Sequence, residues 1–139
     1  EPLLILLDKT GGLFPVAADG SLLPKLSLEE SPDLPLLRGQ NFSKNLKLRQ
    51  RAIELIKAIP SEGFLNRQTV SEIHYDDKLG FELILTSGGE KIRLGQSEFS
   101  FRAGLVERVL TYLQSEGLRG RVIDARFSKK VVVRLRNEP

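Results

Sequence analysis

Few of the side chains that usually do chemistry occur here in patterns that could do it. His74 is the one histidine of the 139-residue chain, and cysteine is absent. An imidazole can serve as general base or metal ligand, but a metal site needs further histidines or cysteines at set spacings. Without a thiol there is no cysteine nucleophile, no thiolate zinc site and no disulfide framework. His74 is therefore read as a half-exposed strand residue. Asp76-Asp77 places two carboxylates together, the residue types of general acid–base catalysis. They fall between two alternating apolar segments, where aspartate is favoured because its side chain bonds the turn's own backbone. A working acid–base pair needs a pocket that separates the two pKa values. Gly11-Gly12 and Gly88-Gly89 lack the Walker and dinucleotide spacings, and neither opens a helix after a strand. No catalytic residue, metal ligand or cofactor site follows from these patterns.

The basic end is the stronger chemical signal. From Gly117 onward Arg119, Arg121, Arg126, Lys129, Lys130, Arg134 and Arg136 face only Asp124 and Glu138. That end carries +5 of a net +3, so the rest of the chain is at −2. Such a stretch suits an acidic protein partner, an anionic lipid or nucleic acid. A basic nucleic-acid-binding α+β module is thus an alternative reading, with Phe127 available to stack on a base. RNA modules of the RRM type set two or three aromatics on adjacent strands, and this sequence does not.

The elements that must carry these residues are legible from periodicity. Residues 3–8 read as a buried strand and 13–16 as a second, with Asp19-Gly20 turning the chain towards Leu22-Leu23. Residues 27–35 read as a surface loop. The spacing of Leu48, Ala52, Leu55, Ile56 and Ile59 predicts a helix over 43–58, capped by Ser43 or Asn45 and stopped by Pro60 and Gly63. Alternation over 70–75, 81–86 and 91–94 predicts a three-stranded meander. A second helix over 100–116 carries the stripe Leu105, Val106, Val109, Leu110 and Leu113, with Gly117 as left-handed C-cap. Strands over 122–127 and 130–135 close the chain, the last with Val131, Val133 and Leu135 on one face. The fold class is α+β: a mainly antiparallel sheet with two helices packed on one face, in a single domain over 1–139. The absence of methionine points to a start removed by processing or to a fragment of a longer protein, and a fragment is the expectation. Its longest apolar run, residues 3–7, is too short to span a bilayer.

A set of short motifs, in order, adds to this. Leu34-Pro35-Leu36-Leu37-Arg38-Gly39 resembles the Leu-Pro-x-Leu-x-Gly that follows the first strands of FtsQ/DivIB β domains. The segment from Val70-Ser71-Glu72-Ile73 through Ile92-Arg93-Leu94-Gly95 is similar to that family's meander. Arg102, Leu105 and Val109-Leu110 stand at its helix offsets, and Ile123-Asp124-Ala125-Arg126-Phe127 resembles its closing Ile-Asp-Leu-Arg-Tyr. Gly12 to Leu23 is similar to the family's hairpin, which often reads Val-Asp-x-x-Gly; Val16 and Gly20 stand here with alanines between, and Ala125 and Phe127 depart from the closing motif. The resemblance implies a non-catalytic cell-division protein with one N-terminal transmembrane helix, a POTRA domain and then this domain, on the extracytoplasmic (periplasmic) side. It implies the partners FtsB and FtsL, which act on septal peptidoglycan synthesis. It also implies that the terminal strand accepts a strand from FtsB. By position the partner site is Arg126, Phe127, Ser128, Lys129, Lys130, Val131, Val132, Val133 and Arg134, with Phe127 in the place of the family's tyrosine. Lys129, Lys130 and Arg126 would attract acidic side chains. Val132→Pro is then expected to weaken partner binding.

Overall fold

Short apolar runs and tight turns make the strands, and the computed structural model describes residues 1–137. β1 (Leu4–Leu7) pairs antiparallel with β2 (Leu13–Val16) across the Gly11-Gly12 turn. The chain leaves the sheet, passes a 3-10 turn at Leu28–Glu30, and returns as β3 (Leu36–Arg38), parallel to β1. A short α1 (Gln40–Ser43) and then α2 (Leu46–Ala58) follow. The meander is β4 (Val70–Asp76), β5 (Gly80–Leu85) and β6 (Lys91–Gly95), antiparallel throughout. α3 (Phe99–Ser115) crosses over to β7 (Gly120–Asp124), which is parallel to β6, and β8 (Val132–Leu135) folds back on β7. One sheet results, in the order β2-β1-β3-β4-β5-β6-β7-β8.

The α+β reading and the meander match this architecture, and α2 and α3 share one sheet face. The sheet is more mixed than the sequence suggested, because β1–β3, β3–β4 and β6–β7 are parallel junctions. β3 itself was not expected. It has three residues, and its partners lie about thirty positions away on either side, so no local pattern marks it. The expected return strand at Leu22-Leu23 is reduced to a bridge between Val16 and Leu22. The helix expected from residue 43 starts at Leu46: Asn45 is its cap, accepting the Leu48 amide at 3.0 Å, while Ser43 belongs to α1. Gly117 is the C-cap glycine, at φ +68°, with the Leu118 amide donating to Leu113 O and its own amide to Gln114 O.

The core lies between the sheet and the two long helices. Leu48, Ala52, Leu55 and Ile56 of α2, and Ala103, Val106 and Leu113 of α3, meet Leu6, Leu37, Ile73, Leu83, Ile92 and Ile123 of the sheet. Phe81 sits at its centre, with Phe42, Tyr75 and Phe99 rings at 6.3, 4.9 and 5.5 Å. Arg49, on the α2 face next to this stripe, is buried as well. Its Nε donates to Gly20 O at 2.7 Å and its Nη1 to Phe42 O at 2.8 Å, tying the first hairpin and α1 to α2. A buried guanidinium is tolerable here because it satisfies carbonyls that would otherwise lack a donor.

The opposite sheet face carries rows of alternating charge. His74, Glu82, Arg93, Asp124 and Val132 are consecutive neighbours across β4 to β8. Arg93 bridges Glu82 at 3.1 Å and Asp124 at 3.7 Å, and Glu72 links Arg38 at 3.4 Å and His74 at 2.7 Å. Burial acts to raise the Glu72 carboxyl, but the contacts from His74 and Arg38 outweigh it and leave the group lowered.

The meander's register depends on one close approach. Gly80 is at φ +81°, and a Cβ there would run into the carbonyl of Gly95 on the neighbouring strand. Gly80→Ala combines a left-handed backbone with a collision against main chain that has no slack. It is expected to cost about 2–4 kcal/mol, read from the urea unfolding midpoint at unchanged slope.

Candidate functional site

The sheet's two ends are treated differently. Along the outer side of β2 the chain covers itself: Leu23 N donates to Pro15 O at 2.9 Å and Leu26 N to Leu13 O at 2.8 Å, with bridges at Leu22 and Leu26. Pro15, inside β2, has no N–H to leave unpaired. At the other end β8 is last in the sheet, and its outer side has no backbone partner among the described residues.

The register decides which groups of β8 are free. Arg136 N donates inward to Arg119 O at 2.9 Å, and Val132 and Arg134 stand opposite Asp124 and Val122. By the alternation of an antiparallel pair, Val132 and Arg134 turn their backbone groups to β7, and Val133 and Leu135 turn theirs outward. Val132 is therefore the wrong place for a proline test of the edge, since its amide belongs to the β7 ladder. Its side chain is 45% exposed on the charged face, while Val131 and Val133 pack towards the core and Arg134 is exposed.

The approach to β8 is built by two arginines, Arg126 and Arg102. β7 ends at Asp124, earlier than the expected residue 127, because the next residues serve other partners. Arg126 N, Nε and Nη2 all donate to the Asp124 carboxylate, at 3.2, 2.8 and 2.6 Å. Arg102 of α3 donates to Ala125 O at 2.9 Å and Phe127 O at 3.2 Å, and also to Ser97 O and Glu98. These bonds hold residues 125–127 against α3 and leave Ser128, Lys129 and Lys130 as the exposed turn. Phe127, 37% exposed, lies between two cations, the Arg126 guanidinium at 5.4 Å and Lys130 Nζ at 5.2 Å from its centroid. Of the basic end, Arg126 is paired, and Arg119 and Arg136 donate to Ser87 O and Gly88 O in the β5–β6 turn. Lys129, Lys130 and Arg134 face solvent beside the open edge.

Sequence reasoning missed the surface behind the edge. Arg108, Val109 and Tyr112 of α3 form an open, mostly apolar groove with Leu118, Val133 and Leu135. Tyr112 is 60% exposed, although it lies one residue before a core position, Leu113. The signal was there: an aromatic off the buried stripe of α3, facing the strand that follows.

The residues raised for chemistry stay apart. Asp76 Oδ1 accepts the Lys78 and Leu79 amides at 2.8 and 2.9 Å, which lowers its carboxyl and makes it a turn residue. His74 touches Glu72 on the charged face, at the far side of that face from Asp124.

The comparisons with known proteins agree with the motifs. A family model described as "Cell division protein FtsQ/DivIB, C-terminal" matches residues 5–126. The chain belongs to the FtsQ/DivIB family. It is similar to the cell division protein FtsQ of Anaeromyxobacter sp. (strain K), 31% identical over 120 residues, covering 81% of this chain and 40% of that protein. It is also similar to FtsQ of Geobacter sp. (strain M21), 27% identical over 138 residues with 94% and 47% covered, and to FtsQ of Geotalea daltonii, 25% identical over 131 residues with 89% and 48% covered. The chain spans less than half the length of these curated relatives. The FtsQ/DivIB match ends at Arg126, so the turn and β8 lie just past it. Within the described residues no helix is long and apolar enough to cross a membrane.

The Ile-Asp-x-Arg part of the FtsQ/DivIB motif now has a physical role: Ile123 fills the core, and Asp124 fixes Arg126. Burial acts to raise the Asp124 carboxyl, but the hydrogen bonds from Arg126 and the charges of Arg126 and Arg93 outweigh it and hold it below the ordinary 3.8. The same contact raises the Arg126 guanidinium. A depressed carboxyl stabilises the fold fully above its unfolded value, and that gain is lost as pH falls through the folded value. Asp124→Asn is expected to cost about 1–3 kcal/mol at neutral pH and to flatten the loss of stability in acid, both read from urea unfolding across a pH series.

Proposed function

We propose that this domain is a non-catalytic scaffold of the bacterial division machinery that binds FtsB and FtsL by accepting a partner strand on the outer side of β8. In this reading the full-length protein is anchored by one N-terminal helix. The domain stands on the extracytoplasmic side, where it helps regulate septal peptidoglycan synthesis. The observation that carries the proposal is the asymmetry of the edges: β2 is covered by its own chain and β8 is not. An added strand supplies partners for the outward groups of Val133 and Leu135.

The geometry also specifies the strand it would take. Side chains of an added strand alternate between faces. Those on the helix side enter the groove of Val109, Tyr112, Leu118 and Leu135 and should be apolar. Those on the other side lie near Val132 and Arg134, with Lys129 and Lys130 at the end of the strand, and should include acids. Phe127 offers its ring at the entrance. Rim charges of this kind act mainly on association rate and salt dependence. A micromolar complex, about −8 kcal/mol, is the expected scale.

Titrating the isotopically labelled domain with the extracytoplasmic part of its own FtsB is expected to shift backbone amides of residues 127–135 first. Leu135→Pro removes an outward amide and should abolish those shifts while the rest of the spectrum stays native. Val132→Pro removes an inward amide and should disturb β7 even without partner. Phe127→Ala should weaken binding by about tenfold, near 1.4 kcal/mol, without loss of fold. Full binding by Leu135→Pro, or shifts centred on another edge or helix, would remove strand addition at β8.

A further inference from the structure

A second site lies off the outer side of β8. The C-terminal turn of α3, the loop before β4 and the β5–β6 turn enclose an open cleft of about 510 Å³, within the size range of small-molecule sites. Glu90 lines it and is only 8% exposed. The Ser87 hydroxyl, at 3.2 and 3.4 Å from its two oxygens, is the side-chain partner of that carboxylate. Among the described residues no cation stands within ion-pair distance of it. The carboxylate's one side-chain hydrogen-bond donor among the described residues is neutral, and a buried charge favours opposite charge in direct contact. The end of α3 that borders the cleft is the negative end of the helix dipole, which also favours a cation there.

Arg119 lines the same cleft and donates Nη2 to Ser87 O at 3.3 Å, with its other N–H groups making no hydrogen bond to the described residues. Gly88 separates the two charges. A Cβ at Gly88 would lie 2.9 Å from Arg119 Nη2, 3.1 Å from Arg136 Nη2 and 3.2 Å from Glu90 Oε1, so two guanidiniums and a carboxylate surround one glycine without forming an ion pair. The nearby Arg136 guanidinium is engaged by Gly88 O. Phe64 and Leu110 add apolar wall, and the Phe64 loop is fixed in place because Glu107 accepts the amides of Phe64 and Leu65 at 3.2 and 2.8 Å.

We propose that this cleft binds an α-amino-acid head group, the ammonium on Glu90 and the carboxylate on Arg119, with an aliphatic side chain against Phe64 and Leu110. Two opposite charges close together and preformed suit a ligand that carries both on one carbon. An amine alone would leave the exposed Arg119 to water, and an acid alone would leave the buried Glu90 without a direct ion pair. The site uses none of the outward groups of β8, so it stands or falls separately from strand addition.

Norleucine is the probe, titrated into the labelled full domain while amide shifts are followed, with pentylamine and hexanoate as single-charge controls. Saturable shifts at residues 87–90 and 113–120 are expected, with a Kd of about 1 mM and at least about tenfold weaker binding of either control. Glu90→Gln keeps the shape and a partner for Ser87, and should weaken norleucine about tenfold. Should Glu90→Gln alter the spectrum throughout, Arg119→Gln takes its place with the same expectation. Equal binding of norleucine and either control would overturn the proposal, as would unchanged affinity in the folded variant or no saturable shift up to about 50 mM.

Discussion

A sheet that does not close into a barrel ends in two strands, and the outward amides and carbonyls of each need partners. Much of this molecule is arranged around that requirement. At β2 the answer is internal: a proline inside the strand and the segment 22–26 laid along its outer side. At β8 no such cover exists among the described residues. Lysines on the turn and an exposed Arg134 discourage a second copy, whose β8 would bring the same charges to the same edge. An acidic partner meets no such barrier.

Beyond its ladder with β7, the terminal strand is held by a chain of polar contacts more than by deep burial. Arg102 reaches from α3 to the carbonyls of Ala125 and Phe127, Asp124 fixes Arg126, and Arg136 ties the end of β8 to the β5–β6 turn. Val131 and Val133 pack against the core, but Val132 and Leu135 are exposed by 45% and 44%. The strand is therefore positioned from both ends while its middle stays available. On the charged face the acids and bases answer one another across neighbouring strands, from Glu72 to Arg126, so that face presents little net field. The unbalanced positive charge is left beside the edge.

The parts of this fold that could be read from sequence are those whose causes are local. The meander follows from alternation and from turn residues such as Asp76 and Asp77, α2 and α3 from their apolar stripes, and the end of α3 from Gly117. β3 could not be read this way. Three residues that pair in parallel with two distant strands have no periodicity of their own, and only the Leu-Pro-x-Leu-x-Gly resemblance touched them. Arg49 is buried by its hydrogen bonds, which no spacing rule anticipates. For the candidate site, the basic turn and Phe127 were visible as residue types. Which β8 amides face outward was not, since it depends on register with β7, and neither was the groove that α3 adds behind the strand.

The position of β8 in the chain has a bearing on how the domain is made. It follows all seven other strands in sequence, and it pairs with β7, which in turn needs β6 and the α3 crossover. A ribosome delivers these elements in that order, and domains fold as their residues arrive. β8 can therefore join the sheet only after β6, α3 and β7 are in place, which makes it late to order among the strands described.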